Sequence, residues 1–111
     1  MLSIQLEEKK LDNGVYRDNS ISASLRYRNG VLELFMESHL EKWQKLSSEY
    51  TIKLFKALNI YEKNDDEVKA AFLSIFTKEA IVEKGSEKIF LDLCEKYDVK
   101  PKYGAYFLDS R

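Results

Sequence analysis

Residues 20–37 read Ser20-Ile-Ser-Ala-Ser-Leu-Arg-Tyr-Arg-Asn-Gly-Val-Leu-Glu-Leu-Phe-Met-Glu37, and this stretch decides the fold class. Ile21, Ala23, Leu25 and Tyr27 alternate with Ser20, Ser22, Ser24 and Arg26, the period-two pattern of a half-buried strand. Asn29-Gly30 follows, a pair that accepts the positive φ a two-residue hairpin loop requires. Residues 31–37 then form the returning strand. With Asn29 and Gly30 as the loop, Arg28 faces Val31, Tyr27 faces Leu32, Arg26 faces Glu33, Leu25 faces Leu34 and Ala23 faces Met36. One face is then apolar. The other carries Arg26 opposite Glu33, a pair of opposite charge worth about 0.2–1 kcal/mol. Phe35 breaks the pattern: it falls on the polar face, opposite Ser24. Either a second layer or the tail covers it, or it contacts a partner.

Working outward, Leu2, Ile4 and Leu6 alternate with polar residues and predict another strand, and Asp12-Asn13-Gly14 marks a reversal. Beyond the hairpin the period changes. Ser38-x-x-Glu41 reads as a capping box, and Leu40, Trp43, Leu46, Tyr50, Leu54, Leu58 and Tyr61 share one side of a helix that could restart at Ser47-Ser48. Asn64-Asp65-Asp66-Glu67 opens a second helix, with Val68, Ala71, Phe72, Ile75, Phe76 and Val82 as its stripe and Lys84-Gly85 as its end. Ser86 caps a third helix carrying Ile89, Phe90, Leu93, Cys94 and Tyr97, and Pro101 stops it. The aromatic tail, residues 103–108, adds an edge strand or lies across a groove. The expected fold is α+β: a small antiparallel sheet packed against three or four helices. It forms a single domain, 1–111, with a β-meander at 1–37, a helical part at 38–100 and an aromatic C-terminal segment at 101–111.

Composition narrows the function. The chain has 111 residues, 18 basic against 19 acidic side chains, one His and one Cys. A disulfide scaffold is excluded and a zinc site on one chain is disfavoured. No cofactor or metal is expected. The N-terminus lacks the basic-then-apolar run of a signal peptide, and no apolar stretch is long enough for a membrane helix. With a lone cysteine, a cytoplasmic protein with no membrane partner is expected. His39, at a strand-to-helix junction, is the single centre around which a Ser-His-Asp or Cys-His site could be built, and it reads better as an ordinary residue of the first helical turn. Cys94 reads as a small core residue. The four glycines are isolated, so no phosphate loop is present. The chain is read as non-enzymatic.

Two surface features stand out. On a continuous helix, Lys42, Lys45, Lys53 and Lys56 align opposite the apolar stripe, and with Arg26 and Arg28 they would suit an anionic partner such as nucleic acid. Between residues 96 and 107, Lys100 and Lys102 interleave with Tyr103, Tyr106 and Phe107, a composition read first as core or dimer packing, then as a protein interface, then as phosphate contact and base stacking. Ile52 projects among the lysines. Together with Phe35 and the tail aromatics it adds apolar surface that a homodimer contact would absorb. A protein partner bound through Phe35, Ile52, Tyr103, Tyr106 and Phe107 is the leading expectation, and a nucleic-acid partner is the alternative.

In general character the chain resembles the small accessory proteins of phages and mobile elements: short, rich in Lys, Glu, Asn and Tyr, and free of motifs. Inhibitors of bacterial defence systems such as anti-CRISPR proteins have this character, as do some toxin-immunity proteins. The resemblance assigns no residue a role. It implies a protein that acts by binding, and by blocking, another macromolecule.

Overall fold

The Asn29-Gly30 hairpin forms as the pattern predicts. In the computed structural model, which describes residues 1–11, 19–38 and 40–107, Asn29 and Gly30 both take positive φ, 55° and 77°. They join β2 (Asn19–Arg28) to β3 (Val31–Glu37) in the expected register, from Arg28 opposite Val31 to Ala23 opposite Met36. β1 (Leu2–Leu11) pairs antiparallel with β2. The reversal expected at Asp12-Asn13-Gly14 lies outside the described residues, as does His39.

The register of β1 shifts between Gln5 and Glu7: Gln5 opposes Ser24 while Glu7 opposes Ala23. Leu6 is the extra residue. Such a bulge re-aims the side chains beyond it, and here it turns Glu7 onto the face of Ala23, Leu25 and Leu34.

At Ser38 the structure corrects the sequence reading. Leu40–Lys45 do not begin a helix; they form β4, antiparallel to β3. The helix starts later, as α1 (Ser48–Ala57), with Ser47 as its cap accepting from the Tyr50 N–H. Ser47-Ser48 is therefore the start of that helix, and residues 38–100 are not wholly helical. Pairing explains the outcome. As a strand, residues 40–45 satisfy the outer edge of β3, which a helix there would leave open. Leu46 and Thr51 then tie α1 to the sheet. The Leu46 N–H donates to the Leu32 carbonyl at 2.9 Å, and the Leu32 N–H donates to Thr51 Oγ1 at 3.1 Å. Thr51 Oγ1 in turn donates to the Ser47 carbonyl at 2.8 Å, so this buried hydroxyl is satisfied on both sides.

The second expected helix is two. α2 (Asp65–Ile75) ends at buried Phe76, and Thr77 caps α3 (Lys78–Lys84). The break moves Val82 off the apolar stripe, and it is 87% exposed. α4 (Ser86–Lys96) follows directly, with Gly85 at φ 84° as its cap position and no capping bond from that residue. Ser86 does not cap the helix either. Its N–H and hydroxyl donate to Glu7 Oε2 at 2.9 and 2.5 Å, so the carboxylate that the β1 bulge turned inward serves as the cap. α4 ends at Lys96, and the chain reverses at Asp98 with φ 57°, before Pro101 is reached. β5 (Lys102–Phe107) then pairs antiparallel with β4, so the aromatic tail is an edge strand.

The described residues form an α+β fold: a five-stranded antiparallel sheet in the order β1-β2-β3-β4-β5, with four helices inserted between β4 and β5. The core lies between the helices and one face of the sheet. Ile4, Leu25, Leu32 and Leu34 from the sheet meet Leu54, Phe55, Val68, Phe72, Ile89, Phe90 and Leu93 from the helices. An aromatic run crosses it: Tyr27 to Phe55 at 5.0 Å between centroids, Phe55 to Phe72 at 6.0 Å, and Phe72 to Phe76 at 6.5 Å. Tilted pairs at such distances contribute beyond their buried area.

Candidate functional site

Residues paired across an antiparallel sheet share a face, so the register defines the side of the sheet away from the helices. Three rows cross it. The central row is Gln5, Ser24, Phe35, Trp43 and Gly104. One flanking row is Ser3, Arg26, Glu33, Lys45 and Lys102. The other is Glu8, Ser22, Glu37, Glu41 and Tyr106. Neither Phe35 nor Trp43 belongs to the core cluster or to the residues packed on it, and among the described residues no helix lies over this open face.

Phe35 and Trp43 are direct cross-strand neighbours, both half-buried. The Arg26 guanidinium lies over the Phe35 ring, 3.9 Å from its centroid. Arg26 and Glu33 are in register, as expected. However, the expected ion pair is not among those the described residues form within 4.0 Å, and the guanidinium is on the ring. On the far side, the Trp43 indole occupies the space a side chain at Gly104 would take. Tyr106, one row away on β5, is 62% exposed. At the other end of the face, Arg26, Arg28, Val31, Glu33 and Lys45 line a depression of about 380 Å3.

The expected lysine row does not exist. Lys42 and Lys45 sit on opposite faces of β4, while Lys53 and Lys56 are on α1. Lys42 faces the helices and pairs with Glu87 at 3.5 Å. Lys53 is held by Asp98, with 3.0 Å to its carbonyl and 3.5 Å to its carboxylate. Lys56 is exposed in the last turn of α1, and Lys100 is exposed before β5. Lys45 and Lys102 instead join Arg26 in one row across the open face, with Arg28 beyond it. Of the aromatic and apolar candidates, Phe35 and Tyr106 come together on this face. Tyr103 lies on the other face of β5, 56% exposed, in register with Gln44. Ile52 is exposed on α1, apart from both. The backbone of Phe107 closes β5 opposite Leu40, and its side chain lies outside the described residues.

Trp43 is the residue the sequence reading misplaced. Taken as part of a helical stripe, it belonged to the core; in β4 it falls on the face of Phe35. The signal was period two: Trp43 alternates with Lys42 and Gln44. It was obscured because those helix-facing positions are polar. Their reason is distant in sequence: Gln44 Nε2 donates to Glu87 Oε2 at 3.1 Å, beside the Lys42–Glu87 pair. A cleft of about 450 Å3 opens there; of the charged groups that line it, Glu7 is engaged with Ser86, Lys42 with Glu87, Glu87 also with Gln44, and Lys84 and Lys88 with Asp92. Among the described residues no three His, Cys, Asp or Glu side chains converge as a metal site. Cys94 is a buried free thiol whose burial pushes its pKa up to about 12, a core residue as expected. No described helix is long and apolar enough to cross a membrane. No family model matches the chain, and neither does any curated protein or any solved structure.

Proposed function

We propose that this chain is a small non-enzymatic interaction protein that binds another protein, in the manner of an inhibitor, through the open face of its sheet. The Phe35–Trp43 pair carries this reading: two large aromatic side chains side by side on a sheet face that no described helix covers. Aromatic residues and arginine dominate the energetic centres of protein interfaces, and charged groups surround them. Here Arg26 stacks on Phe35, Tyr106 stands alongside, and the two rims carry opposite signs. The partner this arrangement fits is a protein surface with an apolar centre between an acidic and a basic band. Acting by occupation needs no reacting group, which agrees with the character shared with phage and mobile-element accessory proteins. A cytoplasmic location fits the buried free thiol.

Capture from lysate with wild type and with Trp43→Ser tests the reading. A protein retained by wild type and lost from the folded variant supports it; equal retention by both sinks it.

A second reading, single-stranded nucleic acid, draws on the same aromatics with Arg26, Arg28, Lys45 and Lys102 as phosphate contacts. The row of Glu8, Glu37 and Glu41 on that face opposes it, because it would repel a backbone crossing the sheet. Binding of this kind would weaken steeply with added salt, which separates the two readings.

A further inference from the structure

The two outer rows of the open face carry opposite net charge. The rows run in the order basic, aromatic, acidic along the strands: Arg26, Lys45 and Lys102 with Glu33 among them, then Phe35 and Trp43, then Glu8, Glu37 and Glu41. Two such faces can meet with two-fold symmetry about an axis in the plane between them. If that axis runs along the strands, basic falls on basic and acidic on acidic. If it runs along the central row, that row meets its own copy and each charged row meets the opposite one. Charge selects the second arrangement.

From this we infer that the protein forms a face-to-face homodimer through its open sheet face, with the two-fold axis along the Phe35–Trp43 row. The inference rests on reading that face as an interaction surface, and it names a second copy as one occupant. In the dimer, Phe35 and Trp43 of one protomer meet Phe35 and Trp43 of the other. Lys45 lies opposite Glu41 of the second copy, a contact made twice, while Lys102 lies opposite Tyr106 and Arg26 opposite Ser22. Glu33 falls opposite Glu37, a like-charge contact that Arg26 and Lys45 flank from either side. Five strands about 4.8 Å apart and three rows about 6.8 Å apart outline roughly 24 by 20 Å. The pair would bury about 1,000 Å2 in all, below the range of stable specific interfaces and within that of weak, transient ones. The dimer is therefore weak and reversible, and a heterologous partner that uses this face competes with it.

Sedimentation equilibrium of the full chain over a concentration series is the test. Wild type is expected to move from a mass of 13.0 kDa toward twice that value. Lys45→Glu and Glu41→Lys are each expected to stay monomeric, since each places like charges at two symmetric contacts. An equimolar mixture of the two, and the double variant, are expected to dimerise again. A folded wild type that stays monomeric throughout overturns the proposal, as do single variants that dimerise like wild type. A mixture that fails to associate overturns it too, because it removes the row-on-row arrangement. Partner capture that depends on Trp43 alongside a monomeric wild type would leave the docking face standing and the dimer refuted. A dimer that captures no partner would do the reverse.

Discussion

The Trp43 indole lies across Gly104: a Cβ at position 104 would overlap its Cε2, Nε1 and Cζ2 atoms. The two residues are cross-strand partners on β4 and β5, so the absence of a side chain on the edge strand is what lets the ring settle onto the sheet. Gly104→Ala is therefore expected to displace the indole from the open face. Tryptophan fluorescence and near-UV dichroism should change while the far-UV spectrum holds. The strain should cost about 1–3 kcal/mol, as overpacking does. Unchanged tryptophan signals would show that the ring is placed by something other than this glycine.

The open face and the core should separate cleanly on mutation. Phe72 is fully buried and touches both Phe55 and Phe76. Phe72→Ala should cost about 3–5 kcal/mol. Trp43→Ser, outside the core cluster, should cost about 1 kcal/mol, the scale of a cross-strand aromatic contact. Urea denaturation of both variants measures the contrast, and comparable losses would mean that the sheet face contributes to folding as the core does.

Glu7 caps a helix that begins 79 residues further along the chain. Its removal by Glu7→Ala leaves the N–H and hydroxyl of buried Ser86 without their acceptor. An unsatisfied buried donor costs about 1–3 kcal/mol. The Ser86 amide should exchange with solvent faster in this variant, whereas amides of β3 should not. Uniform acceleration along the chain would instead indicate a general loss of the fold.

Glu67 gathers the turn before α2. Its carboxylate accepts from the N–H groups of Tyr61, Glu62 and Lys63 at 3.0, 2.8 and 2.7 Å, and its own N–H donates to Asn64 Oδ1 at 2.8 Å. The Tyr61 N–H above all, with those of Lys63 and Glu62, holds its pKa below the ordinary glutamate value against a smaller opposing effect of desolvation. A depressed folded-state pKa stabilises at neutral pH, and that contribution disappears as pH falls through the folded value. Melting temperatures of wild type and Glu67→Gln should differ at neutral pH and converge in acid. A gap that persists or widens in acid would contradict this account.

Cys94 should be inert in the native state. With its pKa pushed up to about 12 by burial, almost no thiolate exists at neutral pH. Labelling by a thiol reagent should follow the rate of unfolding and rise with denaturant. Rapid labelling of native protein would show that the last helix opens locally.

How much of the fold is legible in the sequence depends on the range of the interactions involved. The hairpin at Asn29-Gly30 was legible down to its register because turn chemistry and side-chain alternation act within a few residues. The cap at Asn64 was legible for similar reasons, whereas the aromatic tail fitted an edge strand or a groove, and only pairing with β4 decided it. β4 itself was not legible. Its helix-facing positions hold Lys42 and Gln44, which make sense only beside Glu87, so the alternation that marks a strand was masked and a helical stripe took its place. The cap of α4 was equally hidden, since Glu7 reaches it only after a bulge has turned the strand.

By itself, the sequence determined the α+β class, the antiparallel hairpin, the buried cysteine and the anomaly at Phe35. Local patterning suffices for these, because each reflects a preference of one short segment. Tertiary structure decided that Trp43 stands beside Phe35, that Arg26 turns from Glu33 to the Phe35 ring, and that Lys45 and Lys102 share a row while Lys42 and Lys53 are drawn into pairs with Glu87 and Asp98. Those placements depend on which strand borders which. That in turn depends on satisfying backbone hydrogen bonds and burying apolar area over the whole chain at once.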